Sequence, residues 1–151
     1  MLRKFLVFLI PALCVFVFFA AADEAENLYP SQAIIIAAYR GDDSMVKEIL
    51  SAGVDKDVRD ALGATALHAA MFQRNLMVVK ILLDYGFDPN ARATKNGNTP
   101  LHYAVASDNL GAARLLLQYQ ANKNIRNFEG LTPLEKARKE EKDEMAKLLY
   151  R

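Results

Sequence analysis

The sequence predicts an all-α solenoid of about four stacked helix-turn-helix units, and three observations carry that prediction. The stretch GATALHAA at 63–70 returns as GNTPLHYA at 97–104 and as GLTPLEKA at 130–137. Thr65, Thr99 and Thr132 stand 34 and 33 residues apart, and Leu67, Leu101 and Leu134 keep the same step. Self-similarity at that period marks an array in which one supersecondary unit recurs. Within a unit the apolar residues fall at helical spacing: Leu67, Ala70 and Met71, then, after a turn, Val78, Val79, Leu82 and Leu83. The punctuation between these runs comes from Gly and Thr-Pro at fixed offsets, residues suited to turns and helix starts.

Ahead of the array the chain opens MLRK and then runs uncharged from Phe5 to Ala22 before turning acidic at Asp23 and Glu24. A basic start, a long apolar stretch and small residues before a polar boundary predict a secretory signal peptide over 1–22. Ala20 and Ala22 satisfy the small-x-small rule for a cut after Ala22, and a cut one residue earlier is also open. An uncleaved membrane anchor is the alternative, because 18 apolar residues just reach the length that spans a bilayer. Either arrangement puts the remainder on the non-cytoplasmic side. Leu13, before Cys14, is bulkier than a lipid-modification site usually carries. Cys14 is the only cysteine, so a cleaved chain has no disulfide, thiolate metal site or cysteine nucleophile.

Removal of Arg3 and Lys4 with that segment takes the net charge from +1 to about −1 and leaves about 129 residues, enough for one domain. Such a balance argues against nucleic acid as a partner, since binding phosphates needs clustered cations.

Residues 23–32 form a lead-in, in which Tyr29-Pro30-Ser31 precedes the first helix and Ser31 is its expected cap. The units then fall at approximately 33–59, 60–93, 94–126 and 127–150. The first is degraded, IIIAAYRGDDSMVKEILSAG, with Ala37 where Ala70 recurs and Gly53 where Gly86 recurs. Gly53 and Gly86 end second helices in the left-handed region that favours glycine. Gly63 supplies a turn. Thr65 caps the helix after it, and Pro100 and Pro133 follow Thr99 and Thr132 just inside helix starts, where a missing N–H costs nothing. The alanines at 37, 70, 104 and 137 let neighbouring helices approach. One extra residue lies between Gly86 and Gly97, which predicts a longer loop there.

On these motifs the chain resembles the ankyrin-repeat family over residues 33–150. The resemblance implies an ankyrin-repeat solenoid, L-shaped in section, with a β-turn finger joining each unit to the next. Its exported character resembles small secreted, periplasmic bacterial ankyrin proteins. The departures are Ala66 in place of the proline, Glu135 in place of the histidine and Gln120 in place of the terminal glycine. The last unit, KARKEEKDEMAKLLYR, is polar enough to close the stack, with Lys139–Asp143 as an expected ion pair.

His68 and His102 occupy equivalent places in successive units, and no acidic or sulfur ligands stand at metal spacing to them. Both are expected to be structural. The family resemblance implies hydrogen bonds within the loop and to the threonine side of the same turn. No phosphate loop, H-E-x-x-H or G-x-S-x-G occurs. Asp42, Asp43, Asp55, Asp57 and Asp60 lack calcium-loop spacing and read as solvated turns. The expectation is a non-enzyme without metal or cofactor.

The surface that the resemblance assigns to partners is the concave side, made of finger tips and exposed first-helix positions. These are Tyr39 and Arg40, Phe72 and Gln73, Ala106 and Ser107, and Lys139 and Glu140. The finger positions are Ala61, Leu62 and Ala64, then Lys95, Asn96 and Asn98, then Phe128, Glu129 and Leu131. Among them Tyr39, Arg40, Leu62, Phe72, Gln73, Lys95, Asn96, Asn98, Phe128 and Glu129 are the candidate contacts, because exposed aromatics beside an arginine have hot-spot character. The expected function is a monomeric scaffold in the periplasm or secreted, binding another protein. The alternative is an accessory or inhibitory protein acting on an envelope enzyme or toxin.

Overall fold

A computed structural model describes residues 29–150 of the 151-residue chain. The expected signal segment at 1–22 lies outside the described residues. Eight helices occur among those described: α1 Tyr29–Arg40, α2 Asp43–Ser51, α3 Ala66–Ala70, α4 Leu76–Asp84, α5 Pro100–Ala106, α6 Leu110–Gln118, α7 Pro133–Lys139 and α8 Asp143–Tyr150. They form four antiparallel-type pairs in sequence order, and no strand is present among the described residues. Along the array α1 packs on α3, α3 on α5 and α5 on α7, while α2, α4, α6 and α8 form a second row behind them. This is an all-α solenoid of stacked helix-turn-helix units.

Between the two rows runs the core. Leu67, Met71, Leu82, Leu101, Leu116 and Met145 are fully buried, as are the recurring Ala37, Ala70, Ala104 and Ala137. A helix of five to nine residues cannot hold itself together in water. Each pair is stable only because its neighbours cover its apolar stripe.

The second helices start on side-chain caps at equivalent positions. Asp42 accepts the Met45 amide at 3.0 Å, Asn75 that of Met77 at 3.1 Å, and Asn109 that of Ala112 at 3.0 Å. The two asparagines also reach backwards. Asn75 Nδ2 donates to the Gly41 carbonyl at 2.8 Å, and Asn109 Nδ2 to those of Met71 and Gln73 at 3.1 and 2.6 Å. Cap and inter-repeat tie thus share one side chain. In the last unit the Lys142 ammonium takes over, donating to the carbonyls of Val105 and Ala106.

At their C-termini α2 and α4 end on Gly53 and Gly86, with φ of +84° and +90°. Gln120 holds the same left-handed position after α6 at φ +61°.

Two expectations need correction. Helix α1 already begins at Tyr29, so Ser31 lies inside its first turn and the lead-in is helical from Tyr29 onward. Lys139 pairs with Glu129 at 3.0 Å and not with Asp143. Helix α7 ends at Lys139 and α8 begins at Asp143, so helical i,i+4 geometry never applies between them.

Candidate functional site

The fingers between units are short hairpins, and their closing hydrogen bonds show where the extra residue went. Asp60 N–H donates to the Ala64 carbonyl at 2.9 Å and Asn127 N–H to that of Leu131 at 2.9 Å. In the middle finger Ala93 N–H reaches one residue further, to Asn98, at 2.8 Å. The base of each finger is therefore in register, and the additional residue sits in the tip, among Thr94, Lys95 and Asn96.

Adjacent fingers lie side by side. Lys95 N–H donates to the Leu62 carbonyl at 3.3 Å, and Phe128 N–H to that of Asn96 at 2.9 Å. Their closeness requires glycine. A Cβ on Gly63 would stand 1.8 Å from Thr94 Oγ1, and one on Gly97 would stand 2.6 Å from the Phe128 ring.

An arginine runs along each finger. Arg59 donates to the Gly63 carbonyl of its own finger and to the Arg92 carbonyl of the next, both at 2.8 Å. Arg92 repeats this to Gly97 and Arg126 at 3.3 and 2.9 Å, and its guanidinium lies 5.3 Å from the centroid of the Phe128 ring. The ladder ends at Arg126, which donates to the Glu135 carboxylate at 2.7 Å.

Below the fingers lie the two histidines. Thr65 N–H donates to His68 Nδ1 at 3.1 Å, and Thr65 Oγ1 is 2.9 Å from the same nitrogen. Because Nδ1 accepts an amide, the ring proton belongs on Nε2, which donates to the Asn98 carbonyl of the next finger at 3.1 Å. His102 repeats the pattern with Thr99 and with the Leu131 carbonyl at 2.9 Å. Burial lowers the His68 pKa to about 4 and pushes that of His102 down as well. A neutral, fully hydrogen-bonded imidazole is a structural part with no free lone pair for chemistry. Glu135 replaces the imidazole in the last unit: its carboxylate accepts Thr132 N–H at 2.7 Å, while Thr132 Oγ1 accepts Glu135 N–H at 3.3 Å. The Thr132 amide, with Arg126 beside it, holds the Glu135 carboxyl below the ordinary carboxylate range. Among the described residues no group of three or more His, Cys, Asp or Glu side chains is arranged to hold a metal.

A row of rings crosses the first helices of three units and the turn after α3. Tyr39 and Phe72 have centroids 6.0 Å apart, and Phe72 and Tyr103 meet edge-on at 5.8 Å. Tyr103 in turn meets His68 edge-on at 5.0 Å. The row therefore descends from the far end of α1 to the base of the middle finger. Tyr39 is 56% exposed and Phe72 49%, so Phe72 does not fold inward.

Of the other candidate contacts, Arg40, Lys95, Leu62 and Phe128 are exposed, and Glu129 is exposed but paired with Lys139. Three others are half-buried and make hydrogen bonds within the array. Gln73 donates to the Tyr39 carbonyl. Asn96 Oδ1 accepts Asn98 N–H at 2.9 Å, and Asn98 Oδ1 accepts Asn127 Nδ2 at 2.8 Å. Nearby positions follow suit: Ala64 is buried, and the Ser107 hydroxyl donates to the Met71 carbonyl.

Sequence reasoning missed Ile36, Tyr103 and Arg92. The signal for the first two was available, since Ile36 stands three residues before Tyr39, and Tyr103 three before Ala106, on the same helical face. Arg92 keeps the place of Arg59 and Arg126, each six residues after the left-handed residue (Gly53, Gly86 or Gln120) that follows a second helix, so that recurrence was available as a signal too.

Among the described residues no helix is long and apolar enough to cross a membrane. A family model described as ankyrin repeats, in three copies, matches residues 34–127. No curated protein matches the chain.

Proposed function

Since the chain belongs to the ankyrin-repeat family, whose fold is a non-catalytic protein-interaction module, we propose that it is an exported scaffold that binds another protein on its concave face. The observation that carries this reading is the row Tyr39–Phe72–Tyr103. Its first two rings are half exposed, touch one another and make no hydrogen bond that the stack requires. Large rings held in water at fixed positions lose little entropy on binding and bury much apolar area, which is why such residues dominate interfaces. The exported location rests on the composition of residues 1–22. Modulation of an envelope enzyme or toxin is one form that such binding takes, and the identity of the bound protein decides it.

The test is in-cell crosslinking and capture of the tagged full-length chain from separated soluble and membrane envelope fractions. A folded Tyr39→Ala/Phe72→Ala variant is run in parallel. A protein enriched with the wild type and absent from the variant is the expected result. Equal enrichment with both moves the interface off this face. An N-terminus at Asp23 in the captured chain is expected if the leading segment is cut.

A further inference from the structure

The aromatic row is flanked by positive charge. Arg40 is exposed beside Tyr39 at one end. At the other end Tyr103 packs on His68, which is bonded to the closing residue of the middle finger, and that finger carries Lys95 at its tip. Arg59 and Arg92 donate to backbone carbonyls only. Among the described residues no carboxylate pairs with Arg40, Arg59, Arg92 or Lys95.

The acids of the fingers are engaged within the array. Asp60 accepts the amides of Leu62 and Ala64 at 2.8 and 2.9 Å, Glu129 is held by Lys139 and Glu135 by Arg126. A chain of near-neutral net charge therefore presents uncompensated cations around its exposed rings.

The finger insertion adds a second, independent pointer. Stacking did not require it, because the base of the middle finger closes in register with its neighbours. Its consequence is confined to the tip, where it lengthens the loop that displays Lys95.

We propose that this face receives an acidic segment of a partner protein, with apolar side chains seated on Ile36, Tyr39, Phe72 and Tyr103 and carboxylates meeting Arg40 and Lys95. The inference rests on the concave-face reading above and adds the chemistry of its occupant. Charge complementarity selects such a partner and speeds its encounter. A nucleic acid strand fits less well. The rings meet at 57° and 80° and so offer no series of parallel platforms on which bases could stack.

The experiment selects displayed random dodecapeptides on the purified full chain. It then measures one enriched peptide by fluorescence anisotropy against wild type and the variants Lys95→Glu, Arg40→Glu, Lys47→Glu and Tyr39→Ala/Phe72→Ala. Enriched peptides are expected to combine Asp or Glu with Leu or Phe. Lys95→Glu and Arg40→Glu should each weaken binding about five- to tenfold, and added salt should weaken it further. Lys47→Glu makes the same change in net charge on α2 and should leave affinity unchanged.

Peptides without acidic bias that are still lost with Tyr39→Ala/Phe72→Ala would overturn the acidic-partner inference and leave the concave-face reading standing. Binding indifferent to those two rings, or no enrichment at all, would count against both. A single-stranded dodecanucleotide that binds more tightly than the peptide, and is lost with the same variants, would replace the protein segment as occupant.

Discussion

The imidazole of His68, in the second repeat, donates its Nε2 proton to the Asn98 carbonyl at the close of the next finger. One repeat later His102 donates likewise to Leu131. Each ring also accepts the amide of its own threonine. One buried side chain thus sets a helix start and fastens the following unit to it, so a local motif becomes a long-range tie.

That tie makes stability depend on pH. His68 has its pKa lowered from 6.5 to about 4 by burial, so the unfolded chain takes up a proton that the native ring refuses. Its contribution is complete above pH 6.5 and falls as pH drops through the window from 6.5 to about 4. The loss at the acid end is about 3 kcal/mol, and His102 acts in the same direction. Glu135, lowered by the Thr132 amide and Arg126, adds a loss that begins as pH falls through the ordinary carboxylate range and continues below it. Urea midpoints measured across that range should slope steeply between pH 6.5 and 4 in the wild type. A His68→Gln/His102→Gln variant, less stable at pH 7, should be nearly flat from pH 6.5 down to about 5, above the carboxylate range. An unchanged slope would contradict the assignment.

Two finger glycines should behave differently when replaced by alanine. Gly63 and Gly130 share left-handed φ values of +73° and +76°. Only at Gly63 does a Cβ meet the backbone of the next finger, 2.6 Å from Thr94 N; at Gly130 nothing lies within 4 Å. Gly130→Ala should cost about 1 kcal/mol from backbone strain alone. Gly63→Ala should cost about 2–4 kcal/mol, because two paired fingers must separate. Equal losses on chemical denaturation would mean that the fingers are not packed in solution.

Gln120 ends α6 in the left-handed conformation that Gly53 and Gly86 supply after α2 and α4. Its side chain is exposed and no hydrogen bond of that side chain is seen, so Gln120→Gly removes strain without removing a contact. Stabilisation by about 0.5–1 kcal/mol is expected. A drop in melting temperature would show that the side chain has a contact in solution.

The asparagine caps should be worth more than the aspartate cap. Asp42 caps α2 and does nothing else visible, so Asp42→Ala should cost about 1 kcal/mol. Asn109→Ala removes a cap and two donations to the preceding unit, so about 2–3 kcal/mol is expected. Differential scanning calorimetry of the two variants separates a local cap from an inter-repeat tie. A smaller loss for Asn109→Ala would reverse this assignment.

Much of the architecture was legible in the chain because repetition amplifies weak local signals. One alanine at position 70 says little, whereas the same residue recurring at 37, 104 and 137 marks close helix contact, and all four are buried. Thr-Pro pairs at 99–100 and 132–133 gave helix starts that α5 and α7 follow. The candidate face was less legible. Asn98 and Gln73 stand at positions that repeat geometry exposes, yet each is bonded across to another unit. Whether an amide faces water or a neighbour's carbonyl depends on distances between segments some 30 residues apart.

The pattern of apolar residues, turns and caps determined by itself that this chain is a stack of helical pairs, because helical periodicity and backbone conformation are local properties. The partnership of Arg92 with Phe128, the bond of Arg126 to Glu135, and the charge of Arg40 and Lys95, unpaired among the described residues, were decided only in the tertiary structure. Each depends on how closely one repeat settles on the next, and that spacing emerges only when all the units are in contact.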